Sequence, residues 1–425
     1  MPPRASDTIF AVASGPPPAA IAVVRLSGAR AFVIAEHLAG PLPPPRRASL
    51  RALRDAAGAL LDRALLLVFP GPRSASGEDL VELHLHGGRA VVAAVSAALT
   101  AAGARLAEPG EFTRRALLNG RIDLAEAEGL GDLLMAETEA ARRAALAAAE
   151  GVVSRRVRDW TARLVNASAL VEAVLDFSDE GDVAAPPATL PVELAALGAE
   201  MAAVLAAPPV ERLRDGVRVV LAGPPNAGKS TLFNALAGRE AAIVSPIAGT
   251  TRDRIEAPIV RDGIAYLLID TAGLAEATDD PIEAIGIARA RAAAAQADIL
   301  LWLDDMPPPP GALWLYPRAD ARPPVVGDRL ALSARTGAGL DALWAALAER
   351  AAALLPRADQ LALNARQRAL VCEAADAIAA AATETDLILV AEQCRLARRA
   401  LDAVTGAAGT EAMLDALFSR FCIGK

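Results

Sequence analysis

The sequence predicts a multidomain chain that combines α/β and all-α parts, and three observations lead to this prediction. The pattern G-x-x-x-x-G-K-S at 223–230 stands between a strand-like apolar run and a helix-like run. Alanine-rich helical segments flank that region, and short strand-like runs fill the first 119 residues. We therefore expect an N-terminal α/β domain at 1–119, a helical domain in two parts at 120–213 and 356–425, and a P-loop domain inserted at 214–355. An insertion is tolerated where its two ends lie close together at a surface.

The composition fits a cytoplasmic chain without a membrane role. Its 425 residues suggest two or three domains. No apolar run reaches the length of about 18 residues that a membrane span requires, and the first residues lack the apolar core of a signal peptide. The three cysteines form no CxxC motif. A net charge of −8 argues against indiscriminate binding of nucleic acid.

Four strand-like runs organise the N-terminal part, at 8–13, 20–26, 65–69 and 81–86. The last run alternates strictly, which places Glu82, His84 and His86 on one face of a sheet. A solvated sheet face is the favoured interpretation, and a two-histidine metal site is the alternative. Ser27 is expected to cap a helix that ends near Gly40, and Gly87-Gly88 to open another that runs to Ala102.

The first helical part carries a basic cluster, made by Arg155, Arg156, Arg158 and Arg163. A solvated helix face is the favoured interpretation, and a surface facing RNA is the alternative.

The 223–230 pattern predicts a loop whose backbone N–H groups hold nucleotide phosphates at a helix N-terminus. Lys229 would reach the β- and γ-phosphates, and the Ser230 hydroxyl would bind Mg²⁺. The residues assigned to this contact are Gly223, Asn226, Ala227, Gly228, Lys229, Ser230 and Thr231.

Two further segments favour a GTPase of the Ras-like class. Asp270 ends an apolar run at 264–269, where it could hold Mg²⁺ through water, and Thr251 could ligate the same ion. Leu274 stands where Ras-like enzymes carry a glutamine that orients water, so help with hydrolysis must come from elsewhere. The residues assigned to these segments are Ser245, Pro246, Ile247, Ala248, Gly249, Thr250, Thr251, Asp270, Thr271, Ala272 and Gly273.

The base-binding side departs from the usual pattern. The guanine-specifying N-K-x-D motif is replaced by Pro317-Arg318-Ala319-Asp320, and the connections on either side of it are shorter than a helical crossover requires. Two of the usual helices are therefore expected to be missing. Pro317 has no side-chain donor, so we expect the hydrogen bond that ties the base loop to the phosphate loop to be lost and GTP affinity to fall about ten- to thirtyfold. The base-side residues are Asp320, Ser333, Ala334 and Arg335.

Several stretches together resemble the MnmE (TrmE) family of tRNA-modification GTPases over nearly the whole chain. They are DTIFAVAS, VVRLSG, FPGPRSASGEDLVELHLHGG, PGEFTRRALLNGRIDLAEAEG, GPPNAGKSTLFNALAGREAAIVSPIAGTTRD, DTAGL and the terminal FCIGK.

The resemblance implies a cytoplasmic homodimer whose N-terminal domain both dimerises and binds a 5-formyl- or methylene-tetrahydrofolate. It also implies an FAD-containing partner, MnmG (GidA), with which aminomethyl or carboxymethylaminomethyl groups are added to C5 of the wobble uridine, position 34, of tRNA. The family's motif positions give folate contacts at Arg25, Glu82 and Arg121, with Cys422 and Lys425 of the tail near the same pocket. Family members usually carry lysine where this chain has Arg121, which keeps the charge but changes the geometry.

The resemblance further implies hydrolysis activated by K⁺. The implied K⁺ ligands are Asn226, Ser245, Ile247 and Thr250. Glu283 matches the acidic residue that positions water, although it lies one residue farther from the DTAG motif than usual. An ordinary solvated glutamate is the alternative.

Two other functions compete with this one. A related ribosome-assembly GTPase would carry an appended RNA-binding domain and would leave FCIGK unexplained. A folate-binding scaffold with a degenerate, weakly GTP-binding regulatory domain would explain the altered 317–320 motif, but not the intact DTAGL and GTTRD segments.

Overall fold

The computed structural model describes residues 7–176, 189–224, 226–240, 256–270, 296–324 and 327–406, together with Phe418 and Gly424. The chain divides into two compact units. The first contains Met1–Gly131 and Asp402–Lys425, and the second contains Asp132–Leu401. The multidomain α/β and helical architecture expected from the sequence is present.

A six-stranded sheet with the order β3-β4-β5-β2-β1-β6 forms the centre of the first unit. Its pairs are antiparallel except for β1 with β6. Alternate residues of β5 are buried, so Leu83 and Leu85 join the core while Glu82 and His84 face away from it. Helices α1 and α2 cover the apolar face. The bounds are β1 Ile9–Val12, β2 Ile21–Ser27, α1 Ala31–Ala39, β3 Ser49–Arg54, β4 Leu60–Phe69, β5 Leu80–His86, α2 Arg89–Ala101 and β6 Arg105–Leu106.

The expected helix cap at Ser27 is wrong. Ser27 is the last residue of β2, and α1 begins at Ala31 with no side-chain cap. The Ser27 hydroxyl instead donates to a carboxylate oxygen of Glu78 (2.8 Å) and lies 2.7 Å from the Ser76 hydroxyl oxygen. Because this side chain is fully buried, it needs partners from the neighbouring strand connection, and there it finds them.

A buried ion-pair cluster fixes helix α3 (Glu111–Leu118) to the first unit. The Glu111 carboxylate accepts from Arg105 Nη2 (2.6 Å) and from Arg115 Nη2 (3.0 Å). Arg115 also pairs with Glu78, 3.0 Å away. The cluster therefore joins α3 to the connection before β5.

Five helices, α4 to α8, follow α3, and two more, α11 (Ala365–Thr383) and α12 (Leu387–Thr405), come after the second sheet in the chain. A capping box begins α11, because Asn364 accepts from the backbone N–H of Gln367 (2.8 Å) while the Gln367 side chain reaches back. In the basic cluster predicted on α6, Arg163 donates to Glu200 (2.8 Å), which offsets part of its charge. The bounds are α4 Leu124–Met135, α5 Glu139–Ala149, α6 Val152–Asp176, α7 Leu190–Leu205, α8 Glu211–Asp215, α11 Ala365–Thr383 and α12 Leu387–Thr405.

A second six-stranded sheet, of order β12-β11-β10-β7-β9-β8, lies within the second unit. All neighbouring pairs are parallel except β8 with β9. Helices α9 and α10 supply apolar side chains to its core. The bounds are β7 Val217–Ala222, α9 Lys229–Glu240, β8 Glu256–Arg261, β9 Ile264–Asp270, β10 Ile299–Trp302, β11 Leu313–Tyr316, β12 Leu330–Ala331 and α10 Leu340–Leu354.

The shortened crossovers predicted from the sequence are confirmed in this sheet. Strands β10 and β11 are parallel neighbours, yet the residues 303–312 that join them contain turns and no helix. The described residues between β11 and β12 likewise contain no helix. One edge of the sheet is therefore bordered by loops. Across the described ranges, no helix has the length and apolar character needed to span a membrane.

Candidate nucleotide site

The predicted phosphate loop lies where the parallel strands of the second sheet end. Strand β7 leads into Gly223, and α9 begins at Lys229. Asp270 lies opposite Leu221 in the register of β7 and β9, so the Walker-type aspartate is next to the loop. A Cβ on Gly223 would stand 3.0 Å from the backbone carbonyl of Leu303, and the φ of 154° is one that other residues rarely adopt, so a larger residue would be strained here. Open α/β sheets place their ligand sites at this edge.

Lys229 points back over the loop. Its ammonium donates to the carbonyl oxygens of Gly223 and Pro224, at 2.8 Å each, and the residue is only 6% exposed. A buried ammonium needs such acceptors, and a phosphate arriving at the loop would offer it stronger, charged ones. The loop thus holds the cation where a phosphate would meet it.

A cavity of about 290 Å³ adjoins the phosphate loop. The loop contributes Gly228 and α9 contributes Thr231. The opposite wall comes from the segments after β11 and β12. The main lining residues are Gly228, Thr231, Leu232, Pro317, Arg318, Asp320, Ser333, Ala334 and Arg335. The structure thus brings the four base-side residues predicted from the sequence together with the phosphate loop.

Asp320 is held as a carboxylate at the rim of this cavity. Hydrogen bonds from the Ser333 side chain and from Arg335 lower the pKa of Asp320 below its ordinary value. The Arg335 contacts measure 2.7 Å from Nη2 and 2.9 Å from Nε, both to the same oxygen, Oδ2. Because an ionised carboxylate only accepts hydrogen bonds, Asp320 selects ligands that present donors.

The loops that replace the missing helices are tied together by a cluster that the sequence analysis did not identify. Asp305 accepts from Arg322 Nη2 (2.9 Å) and from Arg329 Nη1 (2.7 Å). The Arg322 guanidinium lies 4.1 Å from the ring centroid of Tyr316, and that of Arg329 lies 4.2 Å from the ring of Trp314. Two arginines that follow an aromatic strand are the signal that could have indicated it.

The expected loss of contact between the base loop and the phosphate loop is also wrong. Although Pro317 offers no donor, Arg318 Nη2 donates to the backbone carbonyl of Asn226 at 2.7 Å. The guanidinium is long enough to reach from the base loop to the phosphate loop. One reason for expecting weaker GTP binding, the lost hydrogen bond between the loops, is therefore removed, whereas the missing helices remain as the other, and the affinity itself stays a prediction.

In the first unit, Arg25 and Glu82 are direct cross-strand neighbours on β2 and β5. Arg25 Nε donates to Glu82 Oε1 (2.9 Å), and His84 Nε2 lies 3.2 Å from Glu82 Oε2. Arg121 packs against the loop at Gly77. A Cβ added to Gly77 would stand 3.0 Å from Arg121 Cγ. The described residues contain no cluster of three or more His, Cys, Asp or Glu side chains that could hold a metal ion.

The chain's C-terminal segment contributes two described residues. Phe418 is buried and packs with Ala127, and Gly110 lies directly against it. Gly424 lies against the end of β1, where an added Cβ would meet Ala13 Cα at 3.0 Å.

The remaining predicted site residues lie outside the described ranges. They are Ser245, Pro246, Ile247, Ala248, Gly249, Thr250, Thr251, Thr271, Ala272, Gly273, Glu283, Cys422 and Lys425.

The chain is similar to several known proteins. Residues 8–121 match the family model described as GTP-binding protein TrmE N-terminus, and residues 124–422 match the MnmE helical domain. A tRNA modification GTPase MnmE of Rhizorhabdus wittichii is 60% identical over 99% of this chain and 97% of its own length. That of Erythrobacter litoralis is 56% identical over 99% of this chain and 100% of its own length. Among solved structures, the G domain of the T. maritima FeoB iron transporter aligns with 25% identity and a TM-score of 0.24, covering 32% of this chain and 98% of that one. From the two family models and the relatives of matching length, the chain belongs to the MnmE family of tRNA modification GTPases.

Proposed function

We propose that this chain hydrolyses GTP in order to modify the wobble uridine of tRNA, together with an FAD-dependent partner of the MnmG type. The product would carry an aminomethyl or carboxymethylaminomethyl group on C5 of uridine 34. The observation that carries the proposal is the continuity of the phosphate loop with the cavity that contains Asp320. The similarity to tRNA modification GTPases supports tRNA as the substrate, and the cavity supports binding of the nucleotide beside the phosphate loop.

The residues around the cavity fit a guanine nucleotide. The Asp320 carboxylate can accept from both N1–H and N2–H of guanine, whereas adenine has no matching pair of donors. Lys229 and the N–H groups of the loop would face the phosphates, and Ser230 with Thr251 would hold Mg²⁺. The proposed nucleotide contacts also include Gly223, Asn226, Ala227, Gly228, Thr231, the 245–251 segment, Asp270 to Gly273 and Ser333 to Arg335.

K⁺ would bind next to the phosphate loop, to Asn226, Ser245, Ile247 and Thr250. Once bound, K⁺ would offset negative charge on the phosphoryl group that is transferred. Glu283 would position the attacking water, a role that Leu274 cannot fill. Asn226 is exposed at the described part of this site, which leaves its side chain available to a ligand.

The N-terminal sheet face is the proposed folate site. Glu82 and Arg25 form a half-buried pair whose carboxylate could grip the amide-like edge of a pterin, and Arg121 would meet a negatively charged glutamate tail. A tetrahydrofolate carries the one-carbon unit. The position of Gly424 beside the end of β1 supports placing Cys422 and Lys425 near this face, since β1 pairs with the strand that carries Arg25. We also propose a cytoplasmic homodimer formed through this domain.

The domain boundaries are proposed at 1–119, 120–213, 214–355 and 356–425. The rival function, a folate-binding scaffold with a degenerate nucleotide domain, is less well supported because Arg318 and the Asp305 cluster hold the altered base loop in place.

The function is tested in cells that lack this protein, by mass spectrometry of the nucleosides of their tRNA. The C5 modification of the wobble uridine should disappear and should return with the parent gene. Lys229→Ala should not restore it, because the phosphate contact is lost. Cys422→Ser should also fail to restore it, although the variant should fold, since a residue near the chain end rarely anchors a core. An unchanged modification level in the deletion strain would refute the function, and full restoration by Cys422→Ser would remove only the role of the tail.

A further inference from the structure

The Glu82 carboxylate, which the proposed function assigns to the pterin of a folate, has a hydrogen-bond partner on each of its two oxygens. Arg25 Nε donates to Oε1 at 2.9 Å, and His84 Nε2 lies 3.2 Å from Oε2. A carboxylate only accepts hydrogen bonds, so Nε2 is the donor in the second contact. Within the described part of the chain, these two side chains are the only groups that donate to Glu82.

Strand β5 places His84 beside Glu82. Residues two apart in a strand point to the same face, and both side chains lie on the face of the sheet that is turned away from the core. The direct cross-strand neighbours of His84 are Val23 on β2 and Leu65 on β4. Neither of these side chains can form a hydrogen bond, so the Glu82 carboxylate is the polar partner that the imidazole finds.

We propose that His84 is a positioning residue of the proposed folate site, which fixes the plane of the Glu82 carboxylate by its bond to Oε2. The last torsion of a glutamate side chain is broad, so the side chain alone leaves the plane of its carboxylate loosely defined. Arg25 holds only one of the oxygens. The second bond, from His84, restrains the rotation and leaves a lone pair on each oxygen for the two donors of a pterin edge. The inference rests on the proposed function, because it takes a reduced folate as the ligand of this face.

The other histidine of β5 has a carboxylate partner of its own. His86 Nδ1 lies 2.7 Å from Asp62 Oδ1, and the His86 side chain is 73% exposed, against 29% for His84. Of the two histidines, only His84 bonds to Glu82. A change at His86 therefore removes a similar histidine–carboxylate contact from the same strand and leaves the Glu82 carboxylate with both of its partners, which makes it the matched control.

Calorimetry of the full-length chain with 5-formyl-tetrahydrofolate tests the bond, with two variants that separate the donor from the packing of the ring. His84→Phe keeps a ring and removes the donor. It should weaken binding about tenfold, the lower end of what a hydrogen bond to a charged group contributes. His84→Gln loses the ring but keeps an amide N–H close to the position of Nε2, and should bind within about twofold of the parent. His86→Phe should bind as the parent does.

The hydrogen on Nε2 can be observed directly, without the ligand. The chain contains three histidines, so the ring nitrogens of His84 can be assigned by comparing the ¹⁵N NMR spectra of the parent and of His84→Phe. Nε2 of His84 should carry a hydrogen in the parent. A spectrum in which Nε2 carries none would contradict the bond on which the inference depends.

Three results of the binding experiment would overturn the inference. Parent affinity in His84→Phe would show that the bond does not position Glu82. A loss in His84→Gln as large as that in His84→Phe would show that the donor at Nε2 is not the group that matters. An equal loss in His86→Phe would show a general disturbance of the strand. A parent chain that does not bind 5-formyl-tetrahydrofolate would instead refute the proposed folate site, so the two failures are distinguishable.

Discussion

Replacing Glu111 by glutamine should destabilise the first unit, because this carboxylate is the centre of a buried ion-pair cluster. The Glu111 side chain is 3% exposed and accepts from Arg105, Arg115 and the backbone N–H of Glu108, at 2.6, 3.0 and 2.9 Å. Glutamine keeps the shape and removes the charge. The two arginines would then lie near a neutral amide.

The expected loss in the free energy of unfolding follows from the burial of Glu111 and from the partners that its two arginines keep. Removal of one partner from a buried ion pair costs about 3–5 kcal/mol. Arg115 would keep Glu78 (3.0 Å) and Arg105 would keep Asp7 (3.2 Å), which argues for the lower end, about 3 kcal/mol. For a domain of this size that corresponds to a fall in Tm of roughly 6–12 °C.

Differential scanning calorimetry is the assay, with Glu139→Gln as the matched control. Glu139 also accepts from two arginines, Arg142 and Arg143 at 2.7 Å each, but its side chain is 55% exposed. Exposed pairs contribute little, so the control should keep the parent Tm within about one degree. Equal losses for the two variants would refute the reasoning from burial.

The pH dependence gives a second check. Burial by itself raises the pKa of Glu111, but hydrogen bonds from Arg105, the Glu108 backbone and Arg115 lower it overall, below its ordinary 4.5. A carboxyl whose pKa is lowered on folding stabilises the protein above its unfolded-state pKa and loses that effect as the pH falls through the folded value. The difference between the parent and Glu111→Gln should therefore stay constant above about pH 5 and shrink as the pH falls below about 4. A difference that did not shrink would show that packing, rather than charge, is lost.

Two further predictions concern hydrolysis. The rate of GTP turnover should be at least about tenfold higher in K⁺ than in Na⁺, a change of about 1.4 kcal/mol in the barrier, and equal rates at matched ionic strength would remove the K⁺ site. Glu283→Ala should bind GTP nearly as the parent does and turn over about a hundredfold more slowly, because water is no longer positioned. Turnover is measured as the release of inorganic phosphate. If the variant turned over GTP at the parent rate, another residue would have to position the water.

Short-range patterns in the sequence were enough to predict several local features of the fold. The alternation of 81–86 predicted which side chains of β5 are buried, because side chains in a strand point to opposite faces in turn. The G-x-x-x-x-G-K-S spacing predicted the strand, loop and helix around Lys229, since few backbones other than a glycine loop can approach phosphates so closely. The number of residues between β10 and β11 was enough to predict that no helix joins them, because a helical crossover needs more chain.

Long-range contacts were decided only by the tertiary structure. Arg318 and Asn226 are far apart in sequence, and nothing in Pro317-Arg318-Ala319-Asp320 indicates that its arginine meets a carbonyl of the phosphate loop. The same is true of Asp305 with its two arginines. It is also true of Ser27, which was predicted to cap a helix but instead donates to the carboxylate of Glu78. A local pattern indicates which hydrogen bonds a residue can make. The packing of distant segments decides which of these bonds form, because buried polar groups bond to the partners that the fold brings within reach.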